Sequence, residues 1–276
     1  MEITMAINFT TKPGFVLGAS ASNTNRNFYE NATERLSGGK RINSAADDAA
    51  GLAVLTKLEA ALSGKEQAIR NAADGQGLLH TAEAGAAEVS NILHRMRELA
   101  VQAANGTHSI AGREALQSEA DQLTAEINRI ADNTSFNGQT PLSGANVELQ
   151  VGASVEERIN VNIEGVRSSD LQLDTGQISF DTSANARESM VTIDQAIEKV
   201  NSVRSDIGAT VNRLSTSIDH LSHAAKNTKI AAGRASDADI ENETTRRAKS
   251  QILTQSSIAI SAQGNASKGM ILRLIS

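Results

Sequence analysis

The chain reads as a mainly α protein: an elongated antiparallel bundle of long, coiled-coil-like helices with a small β-hairpin region and paired amino- and carboxy-terminal helical segments. Three observations predict it. Apolar residues recur every three to four positions over stretches too long for a compact domain. Two Gly-rich joints with cap residues lie near opposite ends of the sequence. Large side chains are scarce, with aromatics at 2%, no Trp and two Pro in 276 residues, so close packing of helices through Ala replaces burial of bulky side chains.

The first joint spans Arg35 to Ala53. Gly38-Gly39 interrupts a helical segment, since paired glycines lose much backbone entropy on ordering. Ser44 reads as an N-cap, and Asp47 three residues later completes a capping-box pattern. Asp47 and Asp48 also place negative charge where the helix dipole favours it. From Ser44 to about Ala104 a 3–4 spacing can be counted: Leu55, Leu58, Leu62, Lys65, Ile69, Ala72, Gln76, Leu79, then Ala82, Ala86, Val89, Leu93, Met96, Ala100 and Ala103. The slip at Leu79 is a phase shift in a coiled-coil-like seam. Such a helix is about 90 Å long at 1.5 Å per residue.

Gly106 reads as its C-terminal stop. A second helix carries Leu116, Ala120, Leu123, Ile127 and Ile130, so the chain doubles back. Val147, Leu149 and Val151, then Ile159, Val161 and Ile163, alternate with polar residues and predict two half-buried strands. Ile178-Ser179-Phe180 reads as a short third strand. A third long helix over about 186–232 repeats the seam through Ile193, Ile197, Val200, Arg204, Ile207, Val211, Leu214, Ile218, Leu221 and Ala225. Then the joint recurs: Gly233 stops a helix, and Ser236 with Asp239 forms a second capping box. The division expected is residues 1–40, a body at 41–235 with hairpins at about 136–182, and residues 236–276. Before the first joint, Lys12-Pro13-Gly14 reads as a turn, and Pro13 interrupts a continuous amino-terminal helix.

Charge and chemistry narrow the function. The net charge is −6, yet residues 1–45 carry five cations against three anions and residues 234–276 six against four, so the middle is strongly acidic. An acidic body disfavours nucleic acid, which feeds on phosphate neutralisation. No run reaches a membrane span and no signal peptide opens the chain. Zero Cys excludes disulfides and thiolate metal sites. His220 and His223 sit at ligating spacing without a third ligand nearby. His80 and His94 fare no better, and no nucleophile–base constellation stands out. We therefore assign no catalytic, cofactor or metal site.

RLSGGKRINSAADDAAGLA at 35–53 resembles the amino-terminal signature of bacterial flagellin, the subunit of the flagellar filament. HRMRELAVQAANGT at 94–107, TSFNGQTPLSG at 134–144 and DADIENETTRRAKSQIL at 237–253 are similar to further blocks of that family, in order. The start of the family pattern fits Met5 better than Met1. The resemblance implies a short flagellin whose paired termini form an inner tube and whose three long helices form the surrounding spoke. Variable outer domains usually insert near residues 170–185, where only Ser168–Ala186 is present. It implies export through the flagellar secretion channel to the extracellular flagellum, with terminal segments disordered in the free monomer, and self-association into a helical homopolymer. The implied partners are the export apparatus, an export chaperone, cap and junction proteins, and an innate immune receptor. The face with Arg95, Leu99 and Gln102, together with Glu119, matches the family's subunit-packing and receptor surface, Leu99 being expected to lie exposed there. Gly38, Gly39, Ser44, Asp47, Gly233, Ser236 and Asp239 are the hinge and capping residues. The rival readings are a hook–filament junction protein and a flagellin-like cell-surface binding protein.

Overall fold

The computed structural model describes residues 13–174 and 176–275. Among the described residues five α-helices form: α1 (Pro13–Gly38), α2 (Ala49–Ala103), α3 (Ile110–Asn133), α4 (Ser183–Ser236) and α5 (Ile240–Ile275). Between α3 and α4 lie a 3₁₀ turn (Pro141–Ser143) and two strands, β1 (Ala145–Gln150) and β2 (Arg158–Ile163). The start of the chain, Met1 or Met5, and Lys12 fall outside the described residues. The expected turn at Lys12-Pro13-Gly14 is corrected from Pro13 onward, because Pro13 and Gly14 open α1. The first turn of a helix has unpaired N–H groups anyway, so the missing donor of proline costs nothing there.

The chain divides into two compact units: Ala60–Thr228, and the described residues up to Glu59 together with those from Lys229 onward. The boundaries lie inside α2 and α4, and not at the glycine joints.

The Ala60–Thr228 unit owns the hydrophobic core. Leu79, Leu93, Met96, Leu99, Ile127, Leu142, Leu173, Phe180, Ile193 and Leu214 are fully buried in it, interleaved with Ala72, Ala82, Ala86, Ala100 and Ala103. Alanines let helix backbones approach, and the leucines of the counted seam fill what remains. β1 and β2 pair antiparallel from Ala145 opposite Ile163 to Gln150 opposite Arg158. Their alternation buries Ile159, Val161 and Ile163, while Arg158 and Glu148 pair at 3.0 Å on the outer face. The third strand is reduced to a single bridge position at Ile178, and Ser179 and Phe180 carry no regular structure, although Ile178 and Phe180 are buried. The Ser179 amide donates to Ser189 Oγ at 2.9 Å and the Phe180 amide to Gln117 Oε1 at 2.7 Å, so side chains take the place of a ladder. Over 136–182 the described residues form a tight antiparallel bridge between Phe136 and Gln139, one two-stranded sheet at 145–163 and a bridge position at Ile178.

Glycines inside α2 explain how this region docks. A Cβ on Gly75 would lie 2.3 Å from Leu149 Cδ1, and one on Gly85 would lie 2.6 Å from Leu142 Cδ1. Gly77 faces the Phe136 ring at 3.2 Å. Each glycine weakens the helix by up to about 1 kcal/mol, and each is offset by a side chain seated where a methyl would be.

In the other unit α1 and α5 pack side by side. What they bury is small and polar: Ala32, Ser250 and Glu243 are buried, and Asn25, Tyr29, Thr254, Ser257 and Ser261 are half-buried. Thr254 and Ser257 return their hydroxyls to the carbonyls of Ser250 and Thr254, so those two hydroxyls are paired within α5.

Candidate assembly surfaces

The joints differ in detail from the pattern expected. Gly38 ends α1 and Gly39 has φ +66°, a left-handed turn open to glycine. Ser44 is not the cap of α2, which begins five residues later at Ala49. The Asp47 carboxylate accepts the Asn43 amide at 3.2 Å, the Ser44 amide at 3.0 Å and the Ser44 hydroxyl at 3.1 Å. Asp47 thus closes a tight turn, and Ser44 Oγ donates instead of accepting. The backbone bonds from Ser44 and Asn43 hold the Asp47 carboxyl below its ordinary value. Asp48 is the true N-cap, its Oδ1 accepting the Gly51 amide at 2.8 Å. The two adjacent aspartates take different roles, and Ile42 is buried against the first turn of α2: a Cβ on Gly51 would lie 2.8 Å from Ile42 Cδ1.

At the second joint Gly233 does not stop α4, which runs on to Ser236. The Gly233 carbonyl accepts the Asp237 amide at 2.7 Å. Ser236 is the last residue of α4 and is buried, its hydroxyl donating to Asp237 Oδ1 at 3.0 Å. Asp239 alone caps α5, accepting the Asn242 amide at 3.1 Å and its side-chain amide at 2.7 Å. Those two bonds keep the Asp239 carboxyl below its ordinary value. Both depressed carboxyls make the joints fully braced above about pH 4, with the contribution lost as pH falls further. Nor does Gly106 end α2: the helix stops at Ala103, and φ is not positive at Gly106.

The Arg95 face is built in the Ala60–Thr228 unit. Arg95 donates to Glu119 Oε1 from Nη2 at 2.8 Å and from Nε at 3.1 Å, and to Glu98 at 3.0 Å. These bonds, that to Glu119 foremost, raise the Arg95 pKa. Arg95, Glu119 and Gln102 are exposed there. Leu99 is not, at 1% exposure, and its expected place on this face is corrected. The count of one seam through Met96 and Ala100 assumed a single partner for α2. Arg95–Glu119 ties α2 to α3, and Arg97–Asp194 ties it to α4 at 2.5 Å. A helix with two partners buries a wider arc, which takes in Leu99.

The terminal pair presents the opposite arrangement. Phe28, Ile252, Leu253, Ile258, Ile260 and Met270 face outward, Ile260 at 72% exposure. Among the described side chains of this pair, these large apolar groups are exposed while Ser250 and Glu243 are buried. Arg35 joins both sides of this unit, reaching Asp47 at 3.4 Å and the buried Glu243 at 3.3 Å. Sequence reading gave Arg35 no bridging role and took Asp48 as a first-turn charge, not as the cap. Arg35 carried no local signal, whereas Asp48 followed by Gly51 was the readable pattern of a cap and its N3 amide.

Among the described residues there is no grouping of three His, Asp or Glu side chains fit for a metal, and no helix long and apolar enough to cross a membrane. What remains is a body with its own core and a helix pair with apolar groups turned outward. That is the class of protein completed by contact with other protein chains. The amino-terminal helical region of bacterial flagellin matches residues 18–147, and its carboxy-terminal helical region matches residues 190–275. A flagellin of Halalkalibacterium halodurans is 40% identical over 253 residues, covering 91% of this chain and 93% of the relative. A flagellin of Treponema pallidum is 37% identical over 261 residues, covering 88% and 90%. The crystal structure of Bacillus cereus flagellin is similar with TM-score 0.50 at 34% identity, over 55% of this chain and 88% of that one. The chain belongs to the bacterial flagellin family.

Proposed function

We propose that this chain is a structural subunit of the bacterial flagellar filament, exported to the cell exterior and self-assembled into a helical homopolymer for swimming motility. One observation carries the reading beyond family membership. The α1–α5 pair buries Ala32, Ser250 and half-buried hydroxyls while exposing Phe28, Ile252, Leu253, Ile258 and Ile260. Water is the wrong solvent for that face, and neighbouring copies supply the right one. Contacts that repeat head to tail without closing generate filaments. The role is structural, not enzymatic, as the family's is. In this reading residues 1–40 and 236–276 build the inner tube and 41–235 the spoke.

The same reading brings further partners: the export apparatus, an export chaperone, and cap and junction proteins. Arg95, Gln102 and Glu119 are the exposed residues of the subunit-packing face and of an innate immune receptor contact, with Leu99 supporting them from below. Seeded growth followed by electron microscopy tests the central claim. Full-length chain is expected to elongate seeds, and a fragment of residues 40–235 to remain monomeric while keeping cooperative helical unfolding by circular dichroism. A fragment that grows filaments as the full chain does refutes the assignment.

A further inference from the structure

Asparagine is followed by glycine twice in the chain, at Asn105-Gly106 and at Asn137-Gly138. The dipeptide has a chemistry of its own. Glycine has no Cβ to crowd its nitrogen, so that nitrogen can attack the asparagine side-chain carbonyl. A bond forms between the glycine nitrogen and asparagine Cγ, and the side-chain amide takes up the proton and leaves as ammonia. Water then opens the cyclic imide at one carbonyl or the other, leaving aspartate or isoaspartate.

The two pairs share this chemistry but not their geometry. Both lie exposed in the Ala60–Thr228 unit, and neither glycine amide donates a hydrogen bond among the described residues. Asn105 and Gly106 fall in the turn between α2 and α3. There the Thr107 amide donates to Asn105 Oδ1 at 3.2 Å, closing a small ring that contains both Asn105 Cγ and the Gly106 nitrogen. The same donor rests on the oxygen where negative charge develops during the attack. The space around Gly106 is open.

Asn137 and Gly138 are instead the central residues of a hairpin turn. Phe136 and Gln139 exchange both backbone bonds across it, at 2.9 and 3.0 Å. Asn137 has φ +49° and Gly138 φ +79°, and positive φ at both positions defines a type I′ turn. In that turn the Gly138 nitrogen lies beside Asn137's own nitrogen about the Cα–C bond, away from Cβ and the carboxamide. Ring closure needs it on the Cβ side. The bond must rotate, and the Phe136–Gln139 bonds must break. Phe136 also anchors the turn to α2, its ring 3.2 Å from a Cβ built on Gly77.

We propose that Asn105 is a site of spontaneous deamidation in the folded chain, and that the Phe136–Gln139 bridge exempts the chemically equivalent Asn137. Water is the only co-reactant. Each event adds a negative charge to the α2–α3 turn, and isoaspartate inserts a backbone carbon ahead of the Ser109 cap of α3. The inference needs neither the filament nor the terminal helices.

The test incubates full-length chain, dilute and monomeric, at mildly alkaline pH. Peptide mass spectrometry follows the amide-to-acid mass gain at each asparagine, and electron-transfer fragmentation separates aspartate from isoaspartate. Both sites sit in one molecule, so the ratio of their rates cancels buffer and temperature. In the folded chain Asn105 is expected to convert at least about tenfold faster than Asn137, which waits for local opening of its bridge. In guanidinium the two rates are expected to converge. Gly106→Ala is expected to slow Asn105 by about tenfold, because a Cβ crowds the attacking nitrogen, and to leave Asn137 unchanged. Equal rates at the two sites in the folded chain overturn the proposal. So does a tenfold gap that persists after unfolding, an Asn105 that converts only once the chain is unfolded, or one indifferent to Gly106→Ala.

Discussion

The two compact units of this chain solve the same problem in opposite ways. In Ala60–Thr228, apolar side chains from α2, α3, α4 and the hairpin converge on a shared core, with Phe180 and Leu93 at 0% exposure. In the unit that holds α1 and α5, comparable described residues stay exposed, with Phe28 at 58% exposure. The number of long helices does not separate them. What separates them is where each apolar group finds its partner: within the chain in the first unit, beyond it in the second. Stability and association are therefore written in different residues, and substitution pulls them apart.

The largest contrast uses two phenylalanines. Phe180→Ala is expected to cost about 3–5 kcal/mol of unfolding free energy, the range for emptying a large buried site. Phe28→Ala is expected to leave denaturant unfolding of the monomer within about 0.5 kcal/mol while slowing seeded elongation severalfold. Equal effects of the two on chemical denaturation would erase the distinction between the units.

A second contrast lies among helical glycines. Gly85→Ala drives a methyl against Leu142 and Thr134, both closer than 3.0 Å, and is expected to cost about 1–3 kcal/mol by overpacking. Gly208 of α4 has open space around its would-be Cβ, so Gly208→Ala is expected to gain up to about 1 kcal/mol through helix propensity. Thermal unfolding by circular dichroism reads both signs. Destabilisation by the Gly208 change would mean that α4 carries a contact here that the geometry lacks.

The smallest contrast separates two neighbouring polar residues of the first joint. Asp48→Ala removes the α2 cap and is expected to cost about 1 kcal/mol. Ser44→Ala deletes one donor to Asp47 in an exposed turn and is expected to change stability by less than about 0.5 kcal/mol. Reversal of that order would restore Ser44 as the cap.

Much of this fold was legible because helical periodicity depends on the chain alone. The seams through Leu79, Leu93 and Met96 and through Ile193, Val200, Ile207 and Leu214 are the buried lines of α2 and α4. The alternation at Ile159, Val161 and Ile163 is the buried face of β2. Reading failed where the answer depends on a second element. Leu99 went under because α2 has two helical partners, and Ile178-Ser179-Phe180 forms no full strand, the Ser179 and Phe180 amides going to Ser189 and Gln117 instead. Cap residues were found by type but misplaced, since Ser44, Asp47 and Asp48 all suit the role. The docking role of Gly75 and Gly85 was not legible, because nothing in their own neighbourhood announces Leu149 or Leu142 arriving from far along the chain.

The outward apolar groups of α1 and α5 set a threshold for company. Burying one such side chain fully contributes about 1.5–3 kcal/mol, whereas fixing one molecule against another costs at least about 4 kcal/mol and often far more. No single residue of this set, Phe28 or Ile260 included, holds two copies together. Several must be covered in the same event, and a lone encounter in solution covers few. The open end of an existing assembly offers several neighbours at once, so the arrangement keeps the dilute chain solitary and reserves attachment for places where many partners are already waiting.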